Sequence, residues 1–251
     1  MYAARWVAAA LFVACIPVFL VLTNVRFTTA DAHIYRYGFS RYHAAAVTGV
    51  AEAELDRAAG EIIEYLTSND RNSLLDVRVA VQGQTQPLFS EREVRHMLDV
   101  KRLFLFFFHL HELTFVYMAV YVAAVYLWSR ERSMRHLADQ AILGGIITAV
   151  ALTFAGVAML FGFAQIFTAF HLLSFSNDLW VLNPATDHLI QMFPLGFWFD
   201  VSMLVGVLSI LEAGLVAGAG YAYNRWAERT AEERRRARLR ARAEAEGPVL
   251  G

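Results

Sequence analysis

Residues 140–177, QAILGGIITAVALTFAGVAMLFGFAQIFTAFHLLSFSN, run for 38 positions without a formal charge. At 1.5 Å per helical residue such a run reaches about 57 Å, nearly twice the roughly 30 Å hydrocarbon thickness of a bilayer. It reads as a transmembrane helix from about Ala141 to Phe161 and a segment that emerges after it, with 140–170 assigned to the span. The whole 251-residue chain fits a membrane reading: 57% of residues are hydrophobic, 14% are aromatic, and the mean hydropathy is +0.41. A soluble domain rarely averages that apolar.

Three further charge-poor runs flank this one. Trp6 to Val25 is 20 residues long and uncharged, enough for one span. Phe12-Val13-Ala14-Cys15 has the look of a lipobox, but Ile16 to Leu22 continues apolar where a cleaved signal would turn polar, so 1–25 is expected to be an uncleaved helix. Residues 103–129 form the second span, interrupted early by His109, His111 and Glu112. Residues 201–223 form the fourth, with Glu212 inside. The expected fold class is therefore an all-α integral membrane protein of four transmembrane helices, with a small extracellular α+β cap at 26–102 between helices 1 and 2.

The 22 basic and 23 acidic residues nearly cancel to a net charge of −1, so no global field recruits nucleic acid. Their placement is informative. The turn at 130–139 holds Arg130, Arg132 and Arg135, and the tail at 224–251 holds eight Arg between Arg225 and Arg242, whereas the loop at 171–200 has three Asp and no Lys or Arg. The bias of positive charge toward short cytoplasmic loops then puts both termini in the cytoplasm and the cap and the 171–200 loop outside. The single cysteine, Cys15, leaves no intrachain disulfide or CxxC site.

The cap carries ordered signals. Leu55, Ala59, Ile62, Ile63 and Leu66 recur at helical spacing, predicting an amphipathic helix that ends near Asn69. Leu75 to Val79 alternates like a strand, Gln82-Gly83-Gln84 offers a turn, and Pro87-Leu88-Phe89 a return strand. Ser90-Glu91-Arg92-Glu93 is a capping box that starts a helix running through Lys101 into the second span. The tail reads as a solvated extension of the fourth helix, with its Arg residues at anionic headgroups.

His109 and His111 lie two apart and point about 200° from each other on a helix, which does not suit chelation of one metal. Pairing across helices is the simpler expectation, and Glu212 faces the same need, met by one of these histidines or by protonation. His96 and His171 are more informative. Each falls where an outer segment meets a span, and each has aromatic company: Phe104, Phe106, Phe107 and Phe108 for the first, Phe167, Phe170, Phe175 and Trp180 for the second. After His171, hydrogen-bonding groups concentrate at Ser174, Asn177, Asp178, Trp180, Asn183 and Asp187, the profile of a functional loop on a rigid scaffold.

His96-Met97-Leu98-Asp99-Val100-Lys101 and the stretch from His171 to Asp187 closely resemble the lipoprotein intramolecular transacylase family of bacterial membrane proteins. Phe193-Pro194, Phe197-Trp198-Phe199-Asp200 and Asn24-Val25-Arg26 extend the likeness. The resemblance implies an acyltransferase in the bacterial cytoplasmic membrane with its site at the outer face. Its partners are membrane lipid and a diacylglyceryl-modified lipoprotein, whose sn-2 acyl chain moves to the amine of the N-terminal cysteine to give the lyso form. No metal or soluble cofactor is implied. By motif the two catalytic histidines map onto His96 and His171.

The chemistry sets its own demands. Attack closes an eight-atom ring through N, Cα, Cβ and S of the cysteine, two glyceryl carbons, the ester oxygen and the acyl carbon. A base, an oxyanion donor and a site that holds the ring closed suffice, without an enzyme nucleophile. A neutral imidazole of pKa about 6.5 suits an amine of pKa about 8. His171 is favoured as base because Asn177, Trp180 and Asn183 share its loop, with the reverse assignment open. Asp99 is a candidate to fix the His96 tautomer. Arg26, Lys101 and Asp187 join Asp99, Asn177, Trp180 and Asn183 as candidates to bind or orient substrate. The rival readings are a noncatalytic membrane protein whose cap binds a partner or lipid, and an esterase or other acyltransferase that acts on membrane lipid.

Overall fold

A computed structural model describes residues 2–81, 83–128 and 131–245. In chain order its elements are α1 (Tyr2–Ala30), α2 (Ala32–Arg41), α3 (Ala44–Thr48), α4 (Glu52–Thr67), β1 (Arg78–Val81), β2 (Gln84–Pro87), α5 (Glu91–Trp128), α6 (Glu131–Ser174), α7 (His188–Met192) and α8 (Leu195–Ala245). Four of them, α1, α5, α6 and α8, are long and apolar enough to cross a membrane, and the small sheet lies between the first two.

Each long helix outruns the span expected of it. α1 continues past Val25 because Thr28 and Thr29 return their hydroxyls to the carbonyls of Asn24 and Val25, at 2.9 and 2.7 Å, so the polar side chains are satisfied within the helix. The turn expected at 130–139 is already helical from Glu131, and Arg130 lies outside the described residues. α6 bends at Gly162 (φ −156°, ψ 41°), next to the predicted end of the straight span, but stays helical to Ser174. The fourth helix starts at Leu195 rather than at 201, since Pro194 opens its first turn by accepting from Phe197 N at 2.9 Å. It runs unbroken into the Arg/Glu tail; residues 246–251 lie outside the described residues.

The tightest helix pair is α6 with α8. A Cβ on Gly145 would stand 2.6 Å from the backbone oxygen of Ala213, so the two helices approach to a distance only glycine permits. Gly145→Ala is expected to push α6 and α8 apart and cost about 1–3 kcal/mol, read as a lower thermal midpoint in detergent. An unchanged midpoint would contradict this packing.

In the cap, α4 matches the predicted amphipathic helix, burying Leu55, Ala59, Ile62 and Leu66. The hairpin forms two to three residues later than expected in its first strand and earlier in its second, with Val79 opposite Gln86. The alternation was real: Leu75, Val77 and Val79 are all buried. Glu54 and Arg57 of α4 hold the outer edge of β1, at Ala80 N and the Arg78 carbonyl, and a backbone bond from Leu88 N to the Val77 carbonyl at 2.8 Å precedes the ladder. Gly83 supplies the left-handed turn residue (φ +81°), while Gln82 lies outside the described residues.

The cap is not confined to 26–102. Its core joins Tyr35 and Phe39 of α2 and Met97 of α5 to Met192 and Phe193 at the end of α7 and Phe197 of α8. The segment after His171 is therefore the other half of the cap, packed against the N-terminal turns of α5. The capping box forms as read: Glu93 Oε2 accepts from Ser90 N at 2.7 Å.

Candidate active site

α5 has 38 residues, and its first twelve, 91–102, carry seven formal charges. They cannot lie in hydrocarbon, so the membrane-crossing part begins after Arg102. On this protruding part, Arg92, His96 and Asp99 occupy positions i, i+4 and i+7 and share one face. The segment after α6 is fastened to that face at three points. Arg92 donates to the Asp178 carbonyl, Asp99 Oδ2 accepts from Asn177 Nδ2 at 2.8 Å, and Glu93 Oε1 accepts from Leu189 N at 2.7 Å. His96 sits between these fastenings.

His171, one turn from the end of α6, meets it there. The two imidazole centroids are 6.1 Å apart, and the residues are 6% and 7% exposed. Phe167, Trp180, Phe170 and Phe175 surround His171 with ring centroids at 4.3, 5.0, 5.3 and 5.6 Å. Phe175 also abuts His96 edge-on at 5.3 Å.

Hydrogen bonding distinguishes the rings. His171 Nδ1 lies 2.7 Å from the Phe167 carbonyl. A carbonyl only accepts, so the proton of the neutral ring is on Nδ1 and Nε2 keeps its lone pair. His96 Nδ1 is buried without a hydrogen-bond partner among the described residues. A buried N–H there would be left unpaired, which places its proton on Nε2. Burial pushes His96 down to about 4, with His171 adding to the effect and Asp99 opposing it. The two rings thus present opposite functions, one Nε2 as acceptor and the other as donor.

Beside the pair, on the far side of Phe175, a cavity of about 270 Å³ is walled by Asp99, Arg102, Leu103, Phe106, Ser174, Phe175, Ser176 and Asn177. Phe106, on the wall of this cavity, is largely exposed. Phe175 is the partition between that cavity and the imidazoles.

The other residues singled out in the sequence fall elsewhere. Asp99 does not hold the His96 ring; it is bonded to Asn177. Asn183 and Asp187 bond to each other's turn, with Asp187 Oδ2 accepting from Asn183 N at 2.6 Å and Asn183 Oδ1 from Ala185 N at 3.0 Å, so they shape the loop. Arg26 pairs with Glu112 at 2.9 Å and stacks over Phe108, deeper along α1 and α5. His111 finds Thr23 at 2.9 Å, and His109 approaches Glu112 at 3.5 Å. Glu212 accepts from Asn24 at 2.8 Å, where one of the two histidines or its own protonation was expected to meet its need; Ser209 shares that amide at 3.1 Å.

Lys101 is fully buried and points into the cap. Its Nζ donates to Ser68 Oγ and Ser73 Oγ, both at 2.7 Å, and lies 4.2 Å from the Tyr65 ring centroid. Burial pushes the Tyr65 phenol up to about 12, so the ring stays neutral beneath the ammonium. Lys101→Ala is expected to lower the thermal midpoint while the protein that remains folded keeps its specific activity. Full stability with lost activity would return Lys101 to the site.

Glu93 was not singled out for the site, and Phe167 and Phe175 were named only as aromatic company of His171. Glu93 was legible as a cap but not as the anchor of a segment almost a hundred residues away. Phe167 acts through its carbonyl, which its side chain does not advertise.

A helical membrane protein with two buried imidazoles of opposite hydrogen-bonding sense, beside a cavity at the junction of its cap and its long helices, has the parts for proton transfer. The chain belongs to the lipoprotein intramolecular transacylase Lit family, whose model matches residues 10–198. In fold it is similar to the membrane-integral lipoprotein intramolecular transacylase Lit from Bacillus cereus, with a TM-score of 0.71, 17% identity, and coverage of 93% of this chain and 100% of that one. A variant of that protein with one histidine replaced by alanine superimposes with a TM-score of 0.68 at 18% identity, covering 92% and 96% of the two chains. An uncharacterized protein of Aquifex aeolicus is 34% identical over 132 residues, 53% of this chain and 56% of that one, so the match spans little more than half of either.

Proposed function

We propose that this protein is an acyltransferase that moves the sn-2 acyl chain of a diacylglyceryl-cysteine lipoprotein to the α-amine of the same cysteine. The observation that carries the reading is the pairing of His96 with His171 in complementary tautomers beside a cavity walled by Phe106 and Phe175. His171 Nε2 takes a proton from the amine as nitrogen attacks the ester carbonyl carbon. The oxyanion that forms is met by the N–H of His96. The C–O bond to the glyceryl oxygen then breaks, and His171 returns the proton to that oxygen. One amide and one free hydroxyl result, with no atom gained or lost.

Burial of the pair suits this chemistry. Water excluded by Phe175, Phe170 and Trp180 would otherwise compete with the amine and turn transfer into hydrolysis. Substrate enters by displacement of Phe175 from the cavity side. The Arg-rich inner turn and tail support cytoplasmic termini and a site at the outer face of the bacterial cytoplasmic membrane.

An isotope-crossover assay tests the intramolecular step. Two dipalmitoyl lipopeptides, one labelled in its acyl chains and the other in its peptide, are mixed with the purified protein in vesicles. The expected products keep each label set together. Products that combine labels would establish transfer between molecules, and free fatty acid would establish hydrolysis.

A further inference from the structure

We infer that Asp99 is the receptor for the substrate's free α-amino group and so sets a preference for lipoproteins whose N-terminal cysteine is not yet acylated. The inference rests on the transacylase reading above and adds a recognition element to it.

Asp99 is the one acidic side chain on the wall of the cavity beside the histidine pair. Its orientation is built. Asn177 Oδ1 accepts from Leu179 N at 3.0 Å, which turns Nδ2 of the same amide toward Asp99 Oδ2 at 2.8 Å. That bond occupies one of the roughly four acceptor positions of a carboxylate. Arg102, the cationic group on the same wall, donates to Asn72 Oδ1 at 3.3 Å and is thereby drawn toward the cap. A carboxylate with spare lone pairs is left facing the cavity one helical turn beyond His96.

The substrate supplies the matching group. An α-amine of pKa about 8 arrives chiefly as ammonium at neutral pH and makes a charge-assisted hydrogen bond to a carboxylate. The ammonium gives up one proton to solvent before attack, so His171 Nε2 stays free to take the second as nitrogen attacks, and the neutral amine in between has two N–H groups. One stays on Asp99 while the lone pair is free to face the ester carbon, so the same contact that selects the amine also aims it. The amide product has no charge to offer Asp99, which favours its release. Arg92 and Glu93 hold the loop from the other side of His96 and take no part in this contact.

The test uses the His171→Ala protein in nanodiscs, where substrate binds without turnover. Two dipalmitoyl lipopeptides are compared, identical except that the α-amine of one is free and that of the other is acetylated. The free-amine lipopeptide is expected to bind about tenfold more tightly, equivalent to about 1.4 kcal/mol. Adding Asp99→Asn should bring the two affinities together. That substitution keeps an acceptor oxygen for Asn177, so the loop link and the thermal midpoint are preserved and only the charge is lost. Equal binding of the two lipopeptides by His171→Ala, or an undiminished preference after Asp99→Asn, would overturn the assignment. Conversion of the free-amine lipopeptide by the unsubstituted protein is measured in parallel. Conversion without a binding preference defeats the role of Asp99 alone, while neither binding nor conversion defeats the transacylase reading with it.

Discussion

His171→Ala is expected to slow acyl transfer by about 10²–10⁴-fold, the usual range for loss of a positioned general base, while the diacyl lipopeptide still binds. His171 Nδ1 is committed to the Phe167 carbonyl, which leaves Nε2 as the basic nitrogen of a ring packed 6.1 Å from that of His96. His96→Ala should cost about 10²–10³-fold through loss of the oxyanion donor. The two rings act on one proton and one oxyanion, so the double variant should be no slower than the slower single one by more than a small factor. Initial rates of lyso-form production by matched, monodisperse preparations check this. Either single variant retaining full activity would remove that imidazole from the reaction.

The second large effect falls on a carboxylate that touches no substrate. Glu93 is 1% exposed, and its two oxygens accept from Ser90 N and Leu189 N, both at 2.7 Å. Glu93→Ala leaves the buried Leu189 amide unpaired, at about 1–3 kcal/mol, removes the partner of the part-buried Ser90 amide, and takes away one of the three links that hold the segment carrying Asn177 and Trp180 to α5. Glu93→Gln faces one of those amides with a donor, so it should fail to restore stability. The expected signs are a thermal midpoint lowered by several degrees and faster hydrogen exchange at the Leu189 amide, with activity falling in step. A stable Glu93→Ala protein with a protected Leu189 amide would contradict this account of how the loop is held.

Much of this was legible in the sequence because the signals were long or periodic. Four charge-poor runs, an apolar stripe from Leu55 to Leu66 and a capping box at Ser90 and Glu93 each act locally, and each produced the element it predicted. His171 was marked by a long motif and His96 by a short one read together with it, and the structure brings the two rings together. What local composition hides is which partner a polar group chooses. Asn183 and Asp187 look alike whether they bind substrate or close a turn. Lys101, inside a motif and next to the membrane, reads as an interfacial cation, yet helix phase turns it inward onto Ser68 and Ser73. Glu212 met Asn24 because α1 and α8, distant in sequence, are neighbours at that depth. Phe175, one aromatic among many, gains meaning only from standing between a cavity and two imidazoles.

The most direct measurement is mass spectrometry of a model diacyl lipoprotein produced together with this protein. The account predicts an unchanged parent mass, with fragments that carry one acyl chain as an amide on the cysteine nitrogen and one on the glyceryl group. Retention of both chains on the glyceryl group, or a parent lighter by one fatty acid, would contradict it.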